Sequence, residues 1–436
     1  MPPTSATLQR QVVVAACFGT FLEWYDFLTF ASLATWFGAL FFPPEDPTTA
    51  LLASLATFGI GMIVRPLGAA LFGSLGDRHG RRTIFLVTII LMGGATFCVG
   101  LLPTYAQVGL LAPALLLVLR MLQGLSVGGE IGGAAVYLTE HAPAEKRGFY
   151  TSVLQLMGPL GMLASTLQIL ALQHFLGDSE FRDWGWRVPF LLSALLLAIS
   201  IKSRINLHES PVFRQLREKN AIAKTPLREC FSDRQTLGRM LLLFSCISAG
   251  GSLLFFSSQV YTGVFLKTVV KLDAGLSGQL VSFSTLCLFP LTIYCGWLSD
   301  RIGRRPVLLF GLFLGAIAIY PVFFGLQYFG GQPTPDRLAI ALLLLVLAVA
   351  LAAITGPQTA TLAELFPART RYSAVALPHN LSAGWIGGMS PFVVTWLGVH
   401  FGDPLAGLAY PTGLLCLAAL IGFFFLPEVR NRPLDQ

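Results

Sequence analysis

The sequence predicts an all-α membrane protein with twelve transmembrane helices arranged as two similar halves of six. Three observations carry that expectation. Hydrophobic residues make up 54% of the 436 and charged residues 12%, whereas a soluble domain carries about 25% charge. Apolar stretches of roughly 20 residues, enough to cross a hydrocarbon core about 30 Å thick, recur along the whole chain. The decapeptide at 73–82, GSLGDRHGRR, returns at 296–305 as GWLSDRIGRR, with Asp77 matching Asp300 at an offset of 223 residues.

The first span, 12–41, reads FLEWYDF from Phe21 to Phe27. No cleavable leader precedes it, so this helix is expected to stay in the protein. Glu23 and Asp26 are three residues apart and share roughly one helix face, with Tyr25 beside them. The cost of ionising two neighbouring carboxyls away from water lets one of them carry a proton; permanent pairing with Arg65 or Arg120 is the structural alternative. The second span, 50–75, holds Arg65 in its cytoplasmic half, where an inner-gate role fits better than contact with a solute. The third span is 83–102. The fourth, 109–139, places Arg120 about 16 Å below its outer end at 1.5 Å per residue. A guanidinium stays charged and offers a fork suited to carboxylate. Arg120, with Gln123 one turn on, is therefore the first candidate to hold an anionic group, with an internal salt bridge as the alternative. Glu130, deeper still, is a candidate for the proton route or the inner gate, and Gly124, Gly128 and Gly132 permit close helix contact. Spans five and six fall at 149–174, with a bend at Pro159, and 187–206.

Three segments follow: 1–206 as the first six-helix half, 207–239 as a cytoplasmic linker and 240–436 as the second half. The linker mixes both charge signs with Pro211 and Pro226 and reads as a tether with short surface helices; a partner-binding role is the alternative. Spans seven to twelve fall at 240–266, 277–298, 306–328, 338–363, 373–399 and 405–427, without interior charges comparable to those of the first half. Gln259 and Tyr261, Gln358, and His379, Asn380 and Trp385 are candidates to line a substrate pocket, each with plain interior packing as its alternative.

A second match supports duplication. Glu140, Pro143 and Arg147 after the fourth span return as Glu364, Pro367 and Arg371 after the tenth, at an offset of 224. Parallel repeats of this kind place a substrate site at their interface near mid-depth. Within each decapeptide, Asp77 and Asp300 are placed to accept hydrogen bonds from unpaired amides at a nearby helix start, or to pair with arginines. With Arg81, Arg304, Arg65, Glu140, Arg147, Glu364 and Arg371 they make the expected cytoplasmic gate; a loop that only fixes topology is the alternative. Most of the 29 Lys and Arg lie on loops of one side, which places both termini in the cytoplasm. The net charge of +7 is then a topology signal and not a nucleic-acid surface.

Seven cysteines lack metal-ligand spacing, and the glycine-rich loops lack the lysine and hydroxyl of a nucleotide loop. No arrangement of nucleophile, base and orienting group marks an enzyme, and no cofactor is expected. The strings EWYDF (23–27), RPLG (65–68), GDRHGRR (76–82), RMLQGLSVGGE (120–130), GFY (148–150) and WGWRVPF (184–190) together resemble the metabolite:proton symporter family of the major facilitator superfamily. The resemblance covers nearly the whole chain and implies a major-facilitator-type fold. It also implies uptake with protons across a bacterial inner membrane by alternating access, with Glu23, Asp26 and the 120–130 segment handling substrate and protons. Members carry citrate, tricarballylate, 2-oxoglutarate, shikimate, or proline with glycine betaine. Arg120 turns the expectation toward a small mono-, di- or tricarboxylate, imported by a protein acting as a monomer. A zwitterionic osmolyte, or facilitated diffusion or exchange of organic acids, is the alternative. The tail ends at Gln436 without the coiled-coil extension of some osmosensing relatives, which weakens the osmolyte expectation.

Overall fold

The computed structural model describes residues 5–43, 47–205 and 209–434, with side chains described except at 5–12, 47–56, 130–132, 203–205 and isolated helical positions. All regular structure among these residues is helical. Among the described residues, ten helices are long and apolar enough to cross a membrane: Gly59–His79, Arg81–Leu101, Leu111–His141, Ala144–Gly177, Gly185–Lys202, Arg234–Thr268, Gly275–Ile302, Arg304–Gly330, Arg337–Glu364 and Ala406–Phe425.

The two remaining expected spans are divided. The stretch 12–41 forms the helix Ser5–Ser32, breaks at Leu33 (φ −101°, ψ 7°) and resumes as Ala34–Phe41. The stretch 373–399 forms Arg371–Leu381, a widened π turn at Ser382–Gly387, and a separate helix Ser390–Phe401. Gly387 and Gly388 weaken the helix there, the Gly388 amide bonds back five residues to the Ala383 carbonyl at 2.9 Å, and Pro391 brings no amide to the ladder.

Two compact units emerge. The first comprises Met1–His141, Met157–Glu229 and Arg369–Leu377; the second comprises Ala142–Leu156, Cys230–Ala368 and Pro378–Gln436. Each therefore incorporates a short segment from the other half of the sequence. In the first unit the helices Pro47–His79 and Leu111–His141 pack backbone to backbone. A β-carbon added at Gly124 would lie 2.2 Å from the Gly61 carbonyl oxygen, and one at Gly128 would lie 2.1 Å from that of Arg65. Near the other end of this unit Phe30, Phe37, Phe41, Trp186 and Phe190 form a buried aromatic cluster. Edge-to-face contacts of 4.8 Å (Phe30–Phe37) and 5.5 Å (Phe37–Trp186) hold it, each worth about 0.5–1.5 kcal/mol beyond area burial. Arg187 beside it closes the Arg81–Leu101 helix by donating to the carbonyls of Leu102 at 2.6 Å and Gly100 at 3.1 Å.

The linker contains the expected short helices, Pro211–Glu218 and Pro226–Ser232. Ser210 caps the first through the Phe213 amide at 3.0 Å. Asp233 starts the next long helix, and hydrogen bonds from the side chain and amide of Thr236 hold its carboxyl below the usual range.

The close approach of the two helices makes Gly128 intolerant of any side chain. Gly128→Ala is expected to lower the thermal unfolding temperature in detergent, at a cost of about 1–3 kcal/mol. Gly94→Ala is not, because nothing lies within 4 Å of a β-carbon there. Intrinsic tryptophan fluorescence during heating distinguishes the two.

Candidate functional site

A polar cluster lies deep in the first unit. Arg120 is 0% exposed, its guanidinium over the rings of Phe27 and Phe30 at 4.7 and 4.2 Å. Its Nη1 donates to Gln123 Oε1 at 2.8 Å, and Gln123 Nε2 donates to Thr96 Oγ1 at 2.8 Å. The Thr96 hydroxyl donates to the Met92 carbonyl at 2.9 Å and stands beside the carboxyl of Asp26. Asp26, also 0% exposed, accepts from Ser193 Oγ at 3.0 Å through Oδ2, while Oδ1 has no hydrogen-bond partner among the described residues. Arg120 and Asp26 are thus connected by neutral groups and not by an ion pair.

Glu23 has different surroundings from Asp26, although the two are three residues apart. It is buried, and its electrostatic neighbour is Arg65 of the Pro47–His79 helix, whose Nη1 also meets Met62 Sδ at 3.4 Å. Tyr25 directs its hydroxyl to Gln168 Oε1 and to the Pro189 carbonyl, both inside the first unit. Glu130 and Gly132 lie outside the described side chains.

The second unit holds an uncharged polar group. Thr285 donates to Gln259 Oε1 at 2.7 Å, and Tyr261 packs against Phe323 at 5.5 Å. His379 Nδ1 and Ser248 Oγ are 2.9 Å apart; Gln358 and Asn380 are buried, and Trp385 is 54% exposed. Gln259 and Tyr261 sit in a π turn, Phe256–Tyr261, and Ser248 ends another, Leu243–Ser248. Such turns recur at functional sites, and composition gives them no local mark.

The predicted gate residues other than Arg65, which lies beside Glu23 instead, assemble into two corresponding nodes, one inside each unit. In the first, Asp77 accepts from the amides of Tyr372 (3.2 Å) and Ser373 (2.9 Å) and from Ser373 Oγ (2.8 Å), capping the start of the Arg371–Leu381 helix. Glu140 gathers Arg81 and Arg371, the latter at 2.7 Å. In the second, Asp300 accepts from the amides of Gly148 and Phe149, both at 2.8 Å, capping Arg147–Gln155. Glu364 gathers Arg304 (3.1 Å) and Arg147 (3.4 Å), and Arg304 also meets Asp300 at 2.7 Å. The nearby Glu–Arg pairs read in sequence therefore exchange partners: Glu140 takes Arg371, and Glu364 takes Arg147.

Two further carboxylates escaped the sequence reading. Glu209 accepts from the amides of Arg81 (3.2 Å) and Arg82, and Glu428 from those of Arg304 (3.0 Å) and Arg305 (3.1 Å). Each caps a helix that starts just after a glycine in left-handed backbone, Gly80 at φ 107° and Gly303 at φ 108°, a conformation glycine adopts freely. A signal existed: Glu209 and Glu428 each lie within two residues of a proline after the last span of a half, as ESP and PEV. Tyr372 was also missed. Its hydroxyl donates to the Gly129 carbonyl at 2.7 Å, and its ring fills the space that β-carbons at Gly76 and Gly133 would occupy. The corresponding position in the other copy, Gly148, has no side chain and packs against the backbone of Gly296.

Comparison with known proteins agrees with this architecture. Residues 12–436 match the family described as sugar (and other) transporter. The chain is 34% identical over 426 residues to the inner membrane metabolite transport protein YhjE of Escherichia coli, covering 96% of this chain and 95% of that protein. It is 34% identical to the glycine betaine/proline/ectoine/pipecolic acid transporter OusA of Dickeya dadantii (98% and 84% covered). It is also 34% identical to the proline/betaine transporter of Salmonella typhimurium (98% and 85% covered). Among solved structures, the major facilitator superfamily proton:xylose symporter XylE bound to a bromodeoxyglucose superposes with a TM-score of 0.75 at 18% identity, covering 99% of this chain and 98% of that one. At that identity the superposition establishes the fold alone: an all-α, multi-span membrane fold of major facilitator type.

The node geometry separates two energetic roles. Glu140→Ala leaves Arg81 and Arg371 buried without their shared carboxylate, a change expected to cost about 3–5 kcal/mol. Glu209→Ala removes a helix cap, worth about 0.5–2 kcal/mol. Thermal unfolding of the two purified variants should rank them in that order; equal shifts would count against the ion-pair node.

Proposed function

Because the chain belongs to the sugar (and other) transporter family, within the major facilitator superfamily, we propose that it is a proton-coupled importer of a small zwitterion bearing one carboxylate, of the proline or betaine kind. It is a transport protein and not an enzyme. The proposed setting is a bacterial inner membrane, crossed by twelve spans in two six-helix halves, with both termini cytoplasmic and one chain sufficient for the cycle.

The observation that carries the proposal is the Arg120–Gln123–Thr96 chain ending beside Asp26. Arg120 supplies one fixed cation for one carboxylate. Phe27 and Phe30, whose faces already lie on that guanidinium, offer the kind of surface that attracts a substrate ammonium as well. Asp26 supplies the proton site. A buried carboxylate surrounded by hydroxyls and not by cations is costly to keep charged, and taking up a proton removes that cost. Glu23, with Arg65 beside it, is the structural member of the pair. Alternating access then needs the two cytoplasmic nodes to form and part, for which Asp77, Arg81, Glu140 and Arg371 in one unit and Asp300, Arg304, Glu364 and Arg147 in the other are the working parts.

The organic-anion preference read from the sequence gives way to the zwitterion for two reasons. A tricarboxylate needs several deep cations, and the second one here, Arg65, has Glu23 beside it. Two of the relatives named above are transporters of proline and betaine.

Uptake into proteoliposomes of radiolabelled proline, glycine betaine, citrate and 2-oxoglutarate, with and without an inward proton gradient, tests the reading. Accumulation of a zwitterion that collapses without the gradient is expected; accumulation of the acids alone would overturn the substrate class. Arg120→Ala should weaken apparent affinity roughly 10- to 100-fold, the worth of about 1.5–3 kcal/mol for a charged hydrogen bond, and Arg120→Lys should restore it only partly. Asp26→Asn should abolish uphill accumulation while sparing substrate counterflow.

A further inference from the structure

We infer that Thr96 is a hydroxyl relay that makes the protonation state of Asp26 felt at Arg120 through Gln123, and so acts as a positioning residue for coupling. The inference rests on Asp26 being the proton site, as proposed above. It follows from the directions of four hydrogen bonds. A threonine hydroxyl has one proton and two lone pairs. Here the proton goes to the Met92 carbonyl at 2.9 Å and one lone pair accepts from Gln123 Nε2 at 2.8 Å. The other lone pair is left for the carboxyl of Asp26 standing beside it, whose Oδ1 lacks any hydrogen-bond partner among the described residues. This arrangement suits a protonated Asp26 donating to Thr96, with Ser193 donating to the other oxygen at 3.0 Å.

When that proton leaves, an acceptor-only carboxylate remains, and the Thr96 hydroxyl turns from Met92 to donate to it. Every donor then points one way: Arg120 to Gln123, Gln123 to Thr96, Thr96 to Asp26. Bonds aligned head to tail reinforce one another, so ionised Asp26 strengthens the hold of Gln123 on Arg120. Protonation reverses the last bond and loosens that hold, leaving Arg120 better able to turn to a substrate carboxylate. Proton and substrate then favour each other's binding, and the coupling is necessarily reciprocal. No covalent bond other than the O–H of Asp26 forms or breaks.

The other groups around Asp26 do not supply this link. Tyr25, its neighbour in sequence and an electrostatic one, gives its hydroxyl to Gln168 and Pro189. Glu23 has Arg65 beside it. The Val188–Ile205 helix contributes Ser193, and the Met157–Asp183 helix contributes uncharged Ser165, bonded to Thr29 at 2.9 Å. Glu130 lies outside the described side chains.

The test is an infrared titration of the full chain in proteoliposomes, following the carboxyl band that Asp26→Asn removes. Thr96→Val is expected to raise the proton affinity of that group by about tenfold, the worth of a lost hydrogen bond to a charge. Gln123→Leu should raise it by less, and Thr96→Val/Gln123→Leu should match Thr96→Val alone, since the relay is already cut. Thr96→Ser should behave as the wild type and serves as the folding control. Ser193→Ala should also raise proton affinity but add independently to Gln123→Leu, because Ser193 is not in the chain to Arg120. An unchanged band in Gln123→Leu, or simple additivity of Thr96→Val with Gln123→Leu, overturns the relay while leaving Asp26 as the proton site. If Asp26→Asn removes no titrating band, the proton-site reading itself fails. A transport readout runs beside it: apparent affinity for proline or glycine betaine should rise as pH falls in the wild type and flatten in Thr96→Val.

Discussion

Two carboxylates, Glu140 and Glu364, each hold a pair of buried arginines, and the fold of each unit is arranged around that requirement. An arginine placed in a largely apolar interior keeps its charge, so stability there depends on bringing carboxylates and amide dipoles to it. The glycine turns at Gly80 and Gly303 set Arg81 and Arg304 at helix starts, where Glu209 and Glu428 occupy the exposed amides. Asp77 and Asp300 perform the same service for helix starts 295 and 152 residues away along the chain. Remove the shared carboxylate and several caps lose their anchor together, which is why the node behaves as one object and not as a sum of pairs.

The duplication is nearly symmetric in these nodes and departs from symmetry elsewhere. Tyr372 fills a glycine-lined socket where its counterpart Gly148 brings backbone against backbone. Among the described residues, charge buried away from the nodes lies in the first unit, whereas the second offers glutamine, serine and histidine around π turns. Two copies of one scaffold thus provide similar ion-pair nodes and dissimilar interiors. In the proposed cycle the first unit manages protons while the second shapes the solute.

Much of this was legible in sequence because it depends on local chemistry. The repeated GDR-x-GRR and Glu-Pro-Arg signals located the charged residues of the two nodes except Glu209 and Glu428, though not Tyr372 or Ser373, and the depth of Arg120 followed from helical rise alone. What sequence could not supply was pairing at long range. Nothing local says that Glu140 meets Arg371 and not Arg147, or that Glu23 faces Arg65 while Asp26, three residues on, faces Ser193 and Thr96. Threonine and serine are common in membrane helices, where most bond their own backbone, as Thr139 does to Ala135; their role appears only once three helices converge. The division of the 12–41 and 373–399 stretches also escaped, since hydropathy counts apolar residues and is blind to a turn that widens at Gly387.

The exchanged segments have a consequence for how the protein is made. Because residues 369–377 belong to the first unit, that unit cannot be finished when the ribosome has passed the linker, even though all of its long helices have already been synthesised. Asp77, Arg81 and Glu140 must wait in the nascent chain, short of their final partners, until most of the second half has emerged. The second unit draws residues 142–156 from chain already made, yet its node also waits for Glu364 and, for the cap on Arg304, for Glu428. The order of synthesis therefore closes both nodes late, the first on a returning segment at 369–377 and the second on an Arg147 made long before its carboxylate.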